Sequence, residues 1–311
     1  MRENAMSNND RNDECDPVVI TIVLNYNNVF DTIETLESVN QMSYNKNSLL
    51  LVENSSKKEV IETIRSQYPT LEIIENDKNM GYAGGNNVGI RRAIERGADY
   101  IFLLNNDVIL ERDLLERLIA AMESIPNCAA CQPLVTYFAN PDILWSAGTE
   151  MYFGYPRLFE KGKNVRQIYS QEPPFGLVGC AILFRTDTIK KIGLFDESLF
   201  LLQEETDWCM RAKNMGFRLM VINSAVAYHK VSLTLGSFSG KYLYYVGRNW
   251  LLVGKKNCSR LFYGYILSTE LMIRIPYYLF QLAKRRQLKM IRFYILGLMD
   301  GLRGISGEKQ F

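Results

Sequence analysis

Between Glu75 and Leu110 the chain reads ENDKNMGYAGGNNVGIRRAIERGADYIFLLNNDVIL. A polar, glycine-rich turn (Gly81, Gly84, Gly85) leads into a helix-length segment from Asn86 to Arg96. A short apolar strand, Tyr100 to Leu104, then stops at Asn105-Asn106-Asp107. Loop, helix, strand and acidic tip in about thirty residues make one crossover unit of a parallel sheet. In open sheets of this kind ligands sit beyond the carboxyl ends of the strands, which makes the tip a candidate site. Asn105 and Asp107 fall on the same side of an extended chain. Two oxygen-bearing side chains so spaced can share a hard divalent cation with substrate phosphates, although the same residue types also end strands in ordinary turns.

The pattern recurs upstream. Val18 to Leu24 is a β-branched apolar run, as expected for a strand buried on both faces, and it closes on Asn25-Tyr26-Asn27-Asn28. A helical segment, Asp31 to Asn40, leads to a strand from Leu49 to Val52 that closes on Glu53-Asn54-Ser55-Ser56. A helix from Lys57 to Gln67 and a strand from Leu71 to Ile74 follow. Four strands alternating with helices predict a parallel α/β sheet whose right-handed crossovers bring all four polar tips to one edge, the setting of a nucleotide-sized cleft. Beyond it the pattern predicts a helix from Glu111 to Met122, a strand from Cys128 to Thr136 and a loop-like stretch from Ala139 to Pro174. A strand from Leu177 to Phe184, a helix from Asp187 to Ile192 and strands at Phe217 to Ile222 and Val226 to Lys230 complete this part.

A formal net charge of +2 argues against a general polyanion binder such as a nucleic-acid protein. The charge is uneven: Lys255 to Arg292 carries nine basic residues against Glu270 alone, which leaves the rest of the chain near −6. Residues 1–16 are polar and lack an apolar run, so a disordered tail and a reduced, cytoplasmic chain are expected. Cys128 and Cys131 form a CxxC with neither a second pair nor a nearby histidine, which points to a structural role over a zinc site.

Two further clusters carry chemistry. Glu204, Glu205 and Asp207 crowd the start of a predicted helix that runs to about Met215. Carboxylates there complement the helix dipole, and they also suit a general base in a cleft. His229, the only histidine, follows a strand in the same half of the chain and is either a packed residue or a metal ligand.

With these pieces in place, the chain resembles glycosyltransferase family 2, the inverting GT-A enzymes, and within it the bacterial rhamnosyltransferase-like branch. The resemblance runs from about Val18 to Gly304. It rests on IVLNYNN (22–28), LVENSS (51–56), KNMGYAGGNNVGIRRA (78–93), LLNNDV (103–108), GCAILFRTDTIKKIGLFDESLF (179–200), EETDWCMRAKNMGFRL (204–219) and AVAYHK (225–230), in that order. It implies a GT-A fold, with a mostly parallel central sheet flanked by helices and a C-terminal helical extension. The implied divisions are a catalytic domain over 17–235, with a nucleotide-binding half (17–110) and an acceptor half (111–235), then a helical region over 236–311.

The resemblance also implies roles. Asn25, Asn27, Glu53 and Asn54 match the end that contacts the nucleoside, Glu53 standing where the family usually has Asp. Gly81, Ala83 and Asn87 match a loop closing over the nucleotide. Asn105, Asn106 and Asp107 match the DxD-type motif, with Asn in its first position. Asp107 and His229 match the ligands of Mn2+ or Mg2+, and Glu205 matches the base, with Asp207 and Glu204 as substitutes. The implied reaction is a single displacement from a nucleotide sugar, dTDP-rhamnose or a UDP-sugar, onto a hydroxyl of a cell-surface glycan or lipid-linked saccharide. A sugar nucleotidyltransferase and a catalytically silent binding scaffold are the competing readings.

Gly236 to Lys256 resembles the helix that follows the family's catalytic domain. Leu261 to Ala283 is apolar and aromatic but broken by Glu270, Arg274 and Pro276, too interrupted for a spanning helix of about 20 residues. With the basic cluster Lys284 to Arg292, residues 260–299 suit either a helix on an anionic membrane surface or a subdomain that packs on the sheet or forms a homodimer.

Overall fold

The structure, a computed structural model, describes residues 16–167, 175–231 and 238–311, so the expected tail lies outside them apart from Asp16. The predicted alternation forms: β1 (Val19–Asn25), α1 (Phe30–Asn40), β2 (Asn47–Glu53), α2 (Lys58–Gln67), β3 (Glu72–Glu75), α3 (Gly81–Glu95) and β4 (Tyr100–Asn105). The four strands lie side by side in the order β3, β2, β1, β4, all parallel. Register aligns Asn25 with Glu53, Glu53 with Glu75 and Leu24 with Asn105, so the polar tips finish level.

Strand alternation builds two cores. Val19 and Val23 of β1, with Tyr100, Phe102 and Leu104 of β4, face the layer of α1 and α2. Ile20, Ile22, Ile101 and Leu103 face the layer of α3. Glycines let α3 sit close to the sheet: a Cβ on Gly85 would fall 2.6 Å from Leu24 Cδ1, and one on Gly89 2.6 Å from Ile22 Cγ2. The glycine-rich stretch is therefore the first two turns of a helix that starts at Gly81, not a turn preceding one at Asn86.

The second half is mixed. β5 (Val108–Leu110), α4 (Leu114–Ser124), β6 (Cys128–Tyr137), β7 (Asn140–Ser146), β8 (Thr149–Tyr152), β9 (Tyr155–Leu158), β10 (Ala181–Arg185), α5 (Thr186–Ile192), α6 (Glu204–Asn214) and β11 (Arg218–His229) follow in order. The sheet continues from β4 through β10, β6 and β11 to β5, with β7 on β6. β10 is antiparallel to both neighbours and β11 antiparallel to β5. The stretch expected to be loop-like carries β7 and the β8–β9 hairpin; its residues 168–174 lie outside the described ones. The two strands expected between Phe217 and Lys230 are one strand with an irregularity between Ile222 and Val226.

The C-terminal region comprises α7 (Gly240–Asn257), α8 (Arg260–Thr269), a π-helical turn (Glu270–Arg274), α9 (Ile275–Lys284) and α10 (Ile291–Arg303). Pro276 has no amide proton for the preceding turn, which accounts for the break in the helical ladder there. Leu243, Val246 and Trp250 of α7 pack with Tyr294 and Leu298 of α10. Among the described residues no helix is long and apolar enough to cross a membrane.

Candidate functional site

At the level edge of the sheet the polar tips bond to one another. Asn25 Nδ2 donates to Glu53 Oε1 at 2.8 Å, and Asn25 Oδ1 accepts from Asn106 Nδ2 at 2.9 Å. Asn27, held in the left-handed region at φ 56°, accepts from the Lys57 amide and donates its own amide to Ser56 Oγ. Burial raises the Glu53 carboxyl above its usual range, against the lowering effect of the Asn25 and Ser56 hydrogen bonds, and its Oε2 has no partner among the described residues. A buried polar oxygen without a partner calls for one, and a nucleoside donor group would supply it. Asn54 is committed to the chain instead: it donates to Asn79 Oδ1 and Gly81 O and accepts from the Asn76 side chain and the Met80 amide.

Asp107 and His229, far apart in sequence, meet because β5 pairs with β11 in a register that sets Val108 opposite His229, with the Lys230 amide donating to Asp107 O. His229 Nε2 lies 3.2 Å from Asp107 Oδ1, both residues being nearly buried. Trp145 of β7 holds the imidazole edge-on at 4.4 Å. No cluster of three or more His, Cys, Asp or Glu that could cage a metal occurs among the described residues. An oxygen and a nitrogen donor converging in this way fit a cation whose remaining positions are filled by substrate phosphates and water. Asn105 Oδ1 accepts from the Tyr82 hydroxyl at 3.1 Å.

Tyr82 links this tip to the acidic helix. Its hydroxyl donates to Gly179 O at 2.5 Å. Burial, reinforced by Glu205 and then Glu204, pushes the phenol well above its ordinary range, so it stays protonated. Burial and the adjacent Glu205 push the Glu204 carboxyl well above the carboxylate range. Burial also raises Glu205, but the backbone of Glu205 itself and of Gly179 draws it part of the way back. In a like-charged pair one carboxyl keeps its proton. Glu204 is the deeper of the two, and Glu205 faces the cleft as the group that ionises first.

That cleft has a volume of about 810 Å³ and runs from Glu205, Thr206 and Val178 past the hairpin residues Tyr155 and Arg157 to Tyr242 of α7 and Tyr277 of α9. Asp207 does not face it. Its fully buried carboxylate accepts from Arg211 Nε and Asn257 Nδ2, each at 2.8 Å, and pairs with Lys256 at 3.1 Å.

The chain enters α6 through a strained strap. Phe200, Leu202 and Gln203 have φ of 63°, 69° and 74°, a region that non-glycine residues adopt only when their surroundings force them. Asn249 of α7 supplies the force: its Nδ2 reaches the carbonyls of Leu199, Leu201 and Leu202 at 2.9, 2.7 and 2.7 Å. Arg248 Nη2 adds a second bond to Leu199 O. Gly81, Ala83 and Asn87, matched in the sequence to a loop over the nucleotide, lie inside α3. Asn87 is buried there and brackets Phe195 through both its carbonyl and its amide. Sequence reasoning missed Tyr82, Trp145 and Asn249. Only Tyr82 had a signal, its place in the glycine-rich stretch.

A family model described as Glycosyl transferase family 2 matches residues 20–193. The dTDP-rhamnosyl transferase RfbF of Shigella flexneri is 22% identical over 254 residues, covering 75% of this chain and 79% of that protein. An N-acetylglucosaminyl-diphospho-decaprenol L-rhamnosyltransferase of Mycobacterium tuberculosis is 24% identical over 215 residues, 60% of this chain and 68% of that one. Among solved structures, GalNAc-T7 with UDP, GalNAc and Mn2+ aligns with a TM-score of 0.63 and 14% identity over 78% of this chain, a likeness of fold. This chain spans about half of that one, 48%.

Proposed function

Because the chain belongs to glycosyl transferase family 2 and is a GT-A glycosyltransferase served by nucleotide-sugar donors, we propose that it carries out an inverting transfer with Glu205 as the base. The observation that carries the reading is the meeting of the polar tips of β1, β2 and β4 with the Asp107–His229 pair at one sheet edge, and a cleft-facing Glu205 on α6 tied to it through Tyr82 and Gly179. The nucleoside lies along Asn25, Asn27 and Glu53. Asp107 and His229 would hold Mn2+ or Mg2+, which would neutralise charge on the donor diphosphate.

Glu205 accepts the proton of an acceptor hydroxyl. The hydroxyl oxygen bonds to the anomeric carbon as the bond from that carbon to the phosphate oxygen breaks, the nucleoside diphosphate departs, and in-line attack inverts the centre. Tyr82 and Gly179 position this acid against the diphosphate end. The likeness to a dTDP-rhamnosyl transferase favours dTDP-rhamnose as the donor here, with a UDP-sugar as the other candidate. The acceptor is a cell-envelope glycan or lipid-linked saccharide, so the enzyme works peripherally at the cytoplasmic face of a membrane.

Calorimetric titration with dTDP, UDP and GDP, each with Mn2+, Mg2+ or EDTA, tests the donor site. Metal-dependent binding of one nucleotide is expected. Binding of none of them with either metal would sink the proposal.

A further inference from the structure

The C-terminal helices carry a surface that sugar transfer does not use. Along α8, the π-helical turn and α9, Leu261 is 88% exposed, Met272 73%, and Leu271 and Phe280 each 66%. The tip of the β8–β9 hairpin joins this face. Trp250 Nε1 donates to Gly154 O, and a Cβ on Gly154 would fall 3.1 Å from the Tyr265 ring, which sets the half-exposed Phe153 beside α8. Large apolar side chains displayed together in this way mark an interaction surface.

The surrounding charge selects the partner. Arg260, Lys284, Arg285, Arg286, Lys289 and Arg292 are exposed. The one carboxylate between Lys255 and Met299, Glu270, is buried against Arg274 at 2.8 Å, so this stretch shows no carboxylate to solvent. Apolar side chains bordered by cations complement a surface that is anionic outside and hydrocarbon beneath. A second copy applied to this face through a twofold axis would bring like charges together. The face also adjoins the cleft, because Tyr277 lines the space in front of Glu205 while half exposed on α9.

We propose that α8, α9 and the hairpin tip dock on an anionic lipid bilayer, so that the cleft opens at headgroup level and the acceptor saccharide reaches Glu205 while its lipid stays in the leaflet. The docking stands on the surface itself, and the acceptor's route rests on the transfer reading above.

Vesicle flotation of the full chain tests it, with phosphatidylcholine alone and phosphatidylcholine mixed with phosphatidylglycerol. The chain should float with the mixed vesicles only, and salt should weaken the binding. R285A/R286A should lower partitioning roughly thirtyfold, about fivefold per charge. L271S/M272S/F280S should lower it by at least about a hundredfold. Both variants should keep wild-type thermal unfolding and nucleotide binding, which separates lost docking from lost folding.

Failure of the wild type to float with mixed vesicles, or wild-type flotation of the triple serine variant, overturns the docking. So does a wild-type dimer in sedimentation equilibrium that the triple variant makes monomeric, since the face would then belong to a second copy. Nucleotide binding without flotation removes the docking alone, whereas flotation without nucleotide binding removes the transfer reading alone.

Discussion

Replacing Asn249 by alanine probes how the base is held. The Asn249 amide is the shared donor to three carbonyls of the strap before α6, one buried and two part-buried, in which Phe200, Leu202 and Gln203 are held at positive φ. Each such residue costs about 1 to 3 kcal/mol, so the strap stores roughly 3 to 9 kcal/mol that its surroundings must offset. Losing the donor removes hydrogen bonds worth about 1 kcal/mol each, Leu199 O keeping its bond from Arg248, while release of strain returns part of the loss. A net destabilisation of about 2 kcal/mol follows, which for a chain of this length lowers Tm by about 3 °C.

The larger effect falls on chemistry. Glu205 lies in the first turn of the helix that the strap delivers, and a displacement of about 1 Å at a positioned base costs on the order of 100-fold in turnover. Donor affinity should stay near wild type, because Asn25, Glu53 and His229 sit on β1, β2 and β11 and Asp107 in the turn between β4 and β5, away from the strap. Differential scanning calorimetry, nucleotide titration and single-turnover assays read the three quantities separately. Asn249→Asp should be worse than Asn249→Ala, since a carboxylate would face carbonyl oxygens. A variant that loses the full stability yet turns over within about threefold of wild type would refute the positioning argument.

Asp107→Ala should abolish the metal dependence of nucleotide binding, and unchanged Mn2+-dependent affinity in calorimetry would remove Asp107 from the site. Glu205→Gln should leave donor affinity intact and cut turnover by about 100-fold or more; full activity would pass the base role to another group. Wild-type turnover should rise with pH through the elevated ionisation of Glu205, which must lose its proton to act. For stability the sign is opposite. Glu204 is raised in the folded state, so its contribution is fully present below the unfolded carboxylate range and is lost as pH rises through its folded value. Glu204→Gln should therefore raise Tm at neutral pH and lose that gain in acid, as unfolding curves across pH would show.

The parallel half was legible because its strands are buried on both faces and end in polar residues, a pattern that local sequence carries in full. The helix beginning at Gly81 was not, because glycine is a poor helix former and its close approach to Leu24 and Ile22 depends on the folded sheet. The hairpin at Thr149 to Leu158 escaped notice for a similar reason: its glycine and proline read as breakers, and its pairing is fixed by packing on α7 and α8. In the site, the resemblance named Asp107, Glu205 and His229, but the meeting of Asp107 with His229 follows from a β5–β11 register that no local pattern encodes. Asp207 shows the limit of motif reading, since its neighbour faces the cleft while it points into an ion pair with another helix.

That ion pair bears on modularity. Lys256 and Asn257 of α7 neutralise and bond a carboxylate of α6, and the Gly307 amide bonds Ser198 O. The line near residue 235 divides the chain on paper, yet the last seventy-odd residues supply partners that α6 lacks by itself. A chimera that took its tail from a relative would have to bring the cation and amide that meet Asp207 along with it. The two parts are one piece of physics, and a change at Asp207 must be met by a change on α7.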